Sequence, residues 1–430
     1  MKPTPDASAE RSVWTVEKLV PGGDAMAHLA DGRVAFVTGA FPGDTIRPLA
    51  VEAKKGHVRA TRFELVSPGP DRVTPPCPVV EACGGCDWMA ISGPAQLVHK
   101  ESLLRSSLER TGGVSGLPAR IPFTPSAAVL GYRSRVRFQV DADGRIGFFA
   151  RGSHTVVEIP ACMVCDAGVN DALVRLRRVS KDALAAFSEI EVRSAGEGPP
   201  VSILVVPRFR GGAGPSLKAV KAAVPPAWCV VARGEESASD AVQRFPLPAG
   251  AHVEAFPGVF TQVNWGVNRA LVECVLDGAR ARGVKHFLDA YAGVGNFSLP
   301  LLMSGMTGVS VERDARAVEC ARRAATALGL DADGFVAGDA REKVVELARR
   351  REQFDLVVLD PPRSGAKDVL DVVARLDAPT IALCSCDPVT LSRDVATLAK
   401  RGYRIEELRG FDMFPSTHHL EAIAWITRST

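Results

Sequence analysis

The sequence has no apolar run near the roughly 18 residues that a membrane-spanning helix needs. Its first residues, MKPTPDASAERSVW, lack the apolar core of a signal peptide. Charge bias is also missing: 52 Lys and Arg against 49 Asp and Glu leave a formal +3, which permits a nucleic-acid partner without indicating one. No internal repeat or low-complexity tract is visible in the 430 residues, which argues against a solenoid. These absences lead us to expect a soluble cytoplasmic protein with no membrane partner and two or three domains with full cores. Structural disulfides are rare in that compartment. The ten cysteines therefore need another role, as metal ligands, cluster ligands, catalysts or packing.

Residues 13–66 alternate β-branched runs with turn signals such as Pro42-Gly43-Asp44, the pattern of a small all-β barrel. A Pro-rich stretch, 67–78, reads as a linker, and CPVVEACGGCDWM follows it. Residues 94–110 carry helical periodicity and end at Gly112-Gly113. Strand patterns return over 129–160 and 188–207, while VPRFRGGAGPSLKAV and ARGEESASD read as exposed loops. The role of 208–246 is not legible. From about 256 strands alternate with helices, which predicts a parallel α/β sheet. The expected division is 1–70 as a barrel, 71–255 as a central α+β domain and 256–430 as a doubly wound, Rossmann-like α/β domain, with the helix 94–110 free to pack on the last.

The α/β half carries a nucleotide-type site. VKHFLDAYAGVGNFSLPLL, 284–302, is a strand, a glycine turn and a helix, with Gly293 and Gly295 where backbone must approach a ligand. Glu312 ends the next strand about 20 residues on, where a carboxylate can accept both ribose hydroxyls. Asp339, in GFVAGDA, falls beside an adenine edge, and Asp360 ends the buried run FDLVVLDPPRSG. Taken singly, each acid is a helix cap or a solvated turn. Acids at four successive strand ends, Asp289 included, argue against that. The turn has one G-x-G and no G-x-G-x-x-G, which argues against NAD, and D-A-Y-A-G-V-G-N-F resembles the S-adenosylmethionine site of class I methyltransferases. An aromatic residue after D-P-P would suggest amino methylation of a flipped base, but Arg363 stands there.

Two cysteines close the next strand, IALCSCDPVT. Cys384 and Cys386 share a face of an extended chain and sit too far apart for a disulfide, and the segment offers no further metal ligands. A nucleophile fits better. Carbon 5 of uracil becomes reactive once a thiolate adds to carbon 6, and a base must then remove the carbon-5 hydrogen. Glu421, with His418 and His419 just upstream in DMFPSTHHLEAIAWI, is the candidate base. The spacing alone does not say which cysteine attacks.

FTQVN (260–264), LDAYAGVGNFSLPL, DPPRSG, SCDPVTLSRD and DMFPSTHHLE occur in this order. Together they resemble the RNA (uracil-5-)-methyltransferases, class I S-adenosylmethionine enzymes. The resemblance implies Cys386 as nucleophile, leaving Cys384 to packing, and Glu421 as proton acceptor. It implies Gln262, Tyr291, Asn296, Glu312 and Asp360 as cofactor or active-site contacts. Residues 13–66 resemble a TRAM domain, an OB-like RNA-binding barrel. Cys77, Cys83 and Cys86, with Cys162 in VVEIPACMVC, resemble the four ligands of a [4Fe–4S] cluster in the ribosomal-RNA branch; Cys165 is an alternative to Cys162. On residue chemistry alone, four thiolates suit iron–sulfur or zinc.

In GYRSRVRFQV, Arg133, Arg135 and Arg137 alternate and so share one strand face, which can contact a phosphate backbone or simply be solvated. The expected partner is RNA, a loop or unfolded segment of 23S ribosomal RNA whose target base leaves its stack, bound by a monomer. DNA is not expected: DNA cytosine-5 enzymes carry Pro-Cys, where this chain has Ser385-Cys386. The alternatives are transfer RNA as substrate and a non-catalytic RNA-binding assembly factor.

Overall fold

The computed structural model describes residues 4–5, 12–194, 200–209, 214–234 and 242–428. The N-terminal part forms a seven-stranded sheet with its own core around Trp14, Val37, Phe41 and Val58. Its longest strands, Thr45–Lys54 and His57–Ser67, are antiparallel and joined through Gly56, whose φ of 83° favours glycine. The expected linker does not hang free. Buried Asp44 accepts from Gly69 N at 2.8 Å and pairs with Arg72 at 2.6 Å, which fastens the Pro-rich stretch to the sheet.

The central sheet has six strands, in the order Val156–Glu158, Ile146–Phe149, Arg135–Val140, Phe187–Ser194, Val201–Pro207 and Cys229–Ala232. Only the last pair is parallel. Part of the expected loop 206–220 is the helix Gly214–Ala223, which buries Leu217 and Val220; a 3.6-residue apolar spacing hidden among glycines was misread there. The first two residues of that loop, Val206 and Pro207, end the strand Val201–Pro207, and 210–213 of it and 235–240 of the other lie outside the described residues.

The third sheet has eight strands: Phe335–Ala337, Thr307–Glu312, His286–Asp289, Leu356–Leu359, Thr380–Ser385, Glu421–Arg428, Tyr403–Phe411 and Phe123–Thr124. The first five are parallel. LVVL and TIALCS are buried at every position, as expected of strands covered by helices on both faces. Strand order reverses between His286–Asp289 and Leu356–Leu359, and the crevice outside the strand ends at such a point is where α/β sheets bind ligands. The strand Glu421–Arg428 runs antiparallel between its two neighbours.

Segments from earlier in the chain complete this unit. The helix Gly93–Arg110, with Pro94 in its first turn, puts Leu104 and Leu108 into the α/β core and Ala95 and Leu103 into the N-terminal core. The hairpin Gln243–Pro246/His252–Ala255 buries Phe245, Val253 and Ala255 in a second core of the α/β sheet, with Val272, Phe287 and Phe297, so the packed unit begins before residue 256. Among the described residues, no helix is long and apolar enough to cross a membrane.

Candidate active site

One cavity of about 1430 Å³ opens at the strand ends of the eight-stranded sheet and runs into the central region. Gln262, Tyr291, Gly293, Asn296, Glu312, Asp339, Asp360, Cys386 and Glu421 line it, and so do Cys77, Cys83, Cys86 and Cys162.

At one end, the strand His286–Asp289 runs into the glycine turn, where Gly293 and Gly295 have φ of 53° and 86°. A Cβ at Gly295 would stand 2.9 Å from Leu299 Cδ1. Glu312 braces the turn: one carboxylate oxygen accepts from Gly293 N at 3.0 Å and the other from Asp314 N at 2.8 Å. Asn296 and the buried Asn268 exchange two 2.9 Å amide hydrogen bonds. Asp339 caps the helix Ala340–Arg349 through one oxygen, accepting from Arg341 N and Glu342 N. Its capping role is therefore real, and the second oxygen is left for the cavity. Asp289 is fully buried, accepts from Ser298 Oγ at 2.7 Å, and has no hydrogen-bond partner for its other oxygen. Burial pushes its carboxyl up to about 7.

At the centre, sheet register brings distant residues together. Ser385 pairs with Ala422 across the antiparallel ladder, so the next position on each strand sets Cys386 opposite Glu421. The thiol strand stops at Ser385, and Asp387 caps the helix Pro388–Ala399 by accepting from Thr390 N at 2.7 Å. Cys386 thus sits in the single-residue step between strand and helix cap and reaches the cavity, while Cys384 stays in the core. Burial pushes the Cys386 thiol up to about 11, with Arg363 acting the other way by charge and hydrogen bond. Burial, then the neighbouring Asp360, hold the Glu421 carboxyl well above the usual range, and Arg363 opposes both. Glu421 is 3% exposed and its Oε1 has no hydrogen-bond partner. Asp360 is raised to about 6 by burial. Acids, thiol and guanidinium therefore meet in a poorly solvated space.

Sequence reasoning gave Arg363, His419 and Phe260 no role here. Arg363 lies 3.4 Å from His419 Nε2. Burial, His418 and Arg363 lower His419 to about 3, so the imidazole is neutral. Phe260 lines the cavity, is 59% exposed and packs its ring under Arg135. The D-P-P-R and H-H-L-E strings carried the signal for the first two. An exposed phenylalanine in FTQVN was the signal for the third. The loop 412–419 ahead of Glu421 is held by Lys100 on Asp412 at 2.6 Å, Tyr132 OH on the Pro415 carbonyl at 3.0 Å and Asp87 on the His418 amide at 3.1 Å.

At the far end Cys77, Cys83, Cys86 and Cys162 are all half-buried. Burial pushes Cys86 up to about 12, and the other three thiols add to the rise. Cys162 is lowered by a hydrogen bond from Cys165. Cys165 itself is buried in the central core and does not line the cavity. Among the described residues, no group of three or more His, Cys, Asp or Glu is arranged to hold a metal ion. In the arginine row, Arg135 and Arg137 share a strand face, but that face is turned to Glu191. Arg135 is buried and paired with Glu191 at 2.7 Å, and Arg137 shares that carboxylate at 3.0 Å.

A family model described as tRNA (uracil-5-)-methyltransferase matches residues 250–429. The 23S rRNA (uracil(1939)-C(5))-methyltransferase RlmD of Alkalilimnicola ehrlichii is 33% identical over 94% of each chain. An uncharacterized RNA methyltransferase of Gloeobacter violaceus is 31% identical over 96% of each. Among solved structures, the tRNA (uracil-54, C5)-methyltransferase of Pyrococcus abyssi, in complex with S-adenosyl-L-homocysteine, superimposes with a TM-score of 0.74 at 24% identity, covering 96% of this chain and 99% of that one.

Proposed function

The chain belongs to the RNA (uracil-5-)-methyltransferase family, and from that premise we propose that it methylates carbon 5 of a uridine in 23S ribosomal RNA. The observation that carries the mechanism is the ladder register that sets Cys386 opposite Glu421 at the cavity wall. Cys386 Sγ adds as a thiolate to carbon 6 of the uracil, and Arg363 beside it favours the charged sulfur. S-adenosylmethionine supplies the methyl group, which carbon 5 takes from its sulfonium. Glu421 then removes the carbon-5 proton, the electron pair re-forms the ring double bond and the sulfur leaves. Asp360 and Arg363 set when Glu421 is free to act as base. Gln262, Tyr291, Asn296, Glu312 and Asp339 hold the cofactor around the braced glycine turn.

The N-terminal sheet is an OB-like TRAM module that grips flanking RNA. Cys77, Cys83, Cys86 and Cys162 hold a [4Fe–4S] cluster of structural role. The donor set supports this: four thiols line one cavity, the Gly85 amide donates to Cys83 between two of them, and Cys165 is withdrawn into the core. Iron and sulfide content after anaerobic purification tests it.

Transfer RNA is the second reading, favoured by the family model and the Pyrococcus structure, both of transfer-RNA methyltransferases; the 23S choice follows the RlmD relatives. Incubating the enzyme with each unmodified RNA and labelled cofactor separates them, and labelling of transfer RNA alone defeats the ribosomal choice. Glu421→Gln should accumulate a covalent RNA adduct. Methylation persisting in Cys386→Ala would remove the thiol from the mechanism.

A further inference from the structure

The segment Ala255–Asn264 crosses from the hairpin to the helix Trp265–Ala281 and carries Phe260 and Gln262 to the cavity. It is neither strand nor helix over 256–263. Its carbonyls have no ladder to join, yet several lie in a buried setting that demands partners. Side chains of the central sheet supply them. Arg193, 1% exposed, donates to the carbonyls of Ala255 at 2.9 Å, Phe256 at 3.0 Å and Val259 at 3.0 Å, and to Gln243 Oε1 at 2.7 Å. These acceptors are three carbonyls and an amide oxygen, with no carboxylate among them. Ser134 donates to the Val263 carbonyl through its amide at 2.9 Å and its hydroxyl at 3.2 Å. Arg135 stacks on the Phe260 ring with its Cζ 5.1 Å from the centroid. A buried guanidinium with its donors spread over one loop is an expensive fixture if packing alone were needed, because any shift of that loop strands both cation and carbonyls.

We propose that Arg193 is a positioning residue for methyl transfer: it clamps the carbonyls of residues 255–259 to the central sheet and thereby fixes Gln262 and Phe260 at the cavity. The inference rests on the reading of Gln262 as a cofactor contact. Arg193 touches neither substrate nor cofactor itself. Its fixed fork reaches acceptors on two sides, which the single ammonium of lysine cannot match.

The test is Arg193→Lys, with Arg193→Met as the second variant. Three quantities are read: affinity for S-adenosyl-L-homocysteine by calorimetry, single-turnover methyl transfer at saturating cofactor, and hydrogen exchange of two amides. The Val259 amide bonds Phe256 O and the Ser134 amide bonds Val263 O, so both report on the segment. The Gly293 amide, bonded to Glu312, is the internal control. Clamping predicts that Val259 and Ser134 exchange at least tenfold faster in the lysine variant while Gly293 does not change, with affinity and single-turnover rate each down about tenfold. If Arg193→Met does not fold, the lysine variant decides. Unchanged exchange at Val259 and Ser134 overturns the clamp; so does faster exchange with affinity and turnover intact, which would leave Arg193 a packing strut. Gln262→Ala separates the underlying reading: if it leaves affinity intact, the Gln262 assignment fails, and the clamp is then judged on exchange and turnover alone.

Discussion

The Cys386 thiol is raised to about 11 by burial, against the pull of Arg363, and its reactivity without RNA follows from that. At pH 8 such a thiol is ionised to roughly one part in a thousand, whereas an unperturbed cysteine near 8.5 is ionised to roughly a quarter. Iodoacetamide captures the thiolate, so peptide-resolved labelling of the folded protein measures this fraction. The Cys386 rate should climb about tenfold per pH unit from pH 7 to about 10 with no plateau, while a short cysteine peptide in the same tube flattens above about pH 9. Cys384, fully buried, should stay unlabelled. Arg363→Met should slow Cys386 labelling at each pH below about 11, since it removes the cation and the hydrogen bond that favour the thiolate. A plateau for Cys386 below about pH 9, or a profile indifferent to Arg363, would refute the claim that burial outweighs the arginine here. A steep profile would mean that the resting enzyme keeps Cys386, the proposed nucleophile, protonated and that bound RNA contributes to its activation.

Other outcomes follow from the same structure. Lys100→Met strands the buried Asp412 carboxylate and should cost about 3–5 kcal/mol, measured by urea unfolding, with Asp412→Asn in the same background recovering part of it. Gly278→Ala would drive a Cβ into the indole of buried Trp425; expect a loss of about 1–3 kcal/mol and a lower melting temperature. Asp289 has a folded pKa near 7, above its unfolded value. Its contribution is therefore fully present below about pH 4 and is lost as pH rises through about 7, at most ~4 kcal/mol; Asp289→Asn should flatten the cofactor-free melting temperature across that window. If the proposed cluster is held, Cys162→Ser should lower the iron content of anaerobically purified protein and Cys165→Ser should not, and the opposite pattern would exchange Cys165 for Cys162 as ligand.

Much of the α/β half was readable because its chemistry sits at strand ends. There an apolar run, a turn and an acid or thiol occur in a fixed order, so the position of Glu312, Asp360 and Cys386 at strand ends on one cavity follows from local pattern. Long-range satisfaction of buried groups was not readable. Nothing in GYRSRVRFQV says that Arg135 faces Glu191 more than fifty residues on, because the pairing is made by sheet order and not by spacing. The same holds for Arg193 and for Lys100, whose partner Asp412 lies near the other end of the chain. Local pattern left Arg135 as either a phosphate contact or a solvated charge and assigned Arg193 and Lys100 nothing. The helix Gly214–Ala223 was missed for the converse reason: flanking glycines read as loop while two buried aliphatics decided the matter.

The final strand, threaded backwards between two others, ties the spacing of Cys386 and Glu421, the proposed nucleophile and base, to the rung spacing of a single backbone ladder rather than to the 34 residues of chain that separate them. Insertions in that intervening chain leave the distance untouched. A slip of one rung, however, turns every side chain of the strand over and presents Leu420 or Ala422 to the thiol instead of a carboxylate. This half of the active site is therefore proof against changes of length and intolerant of changes of phase.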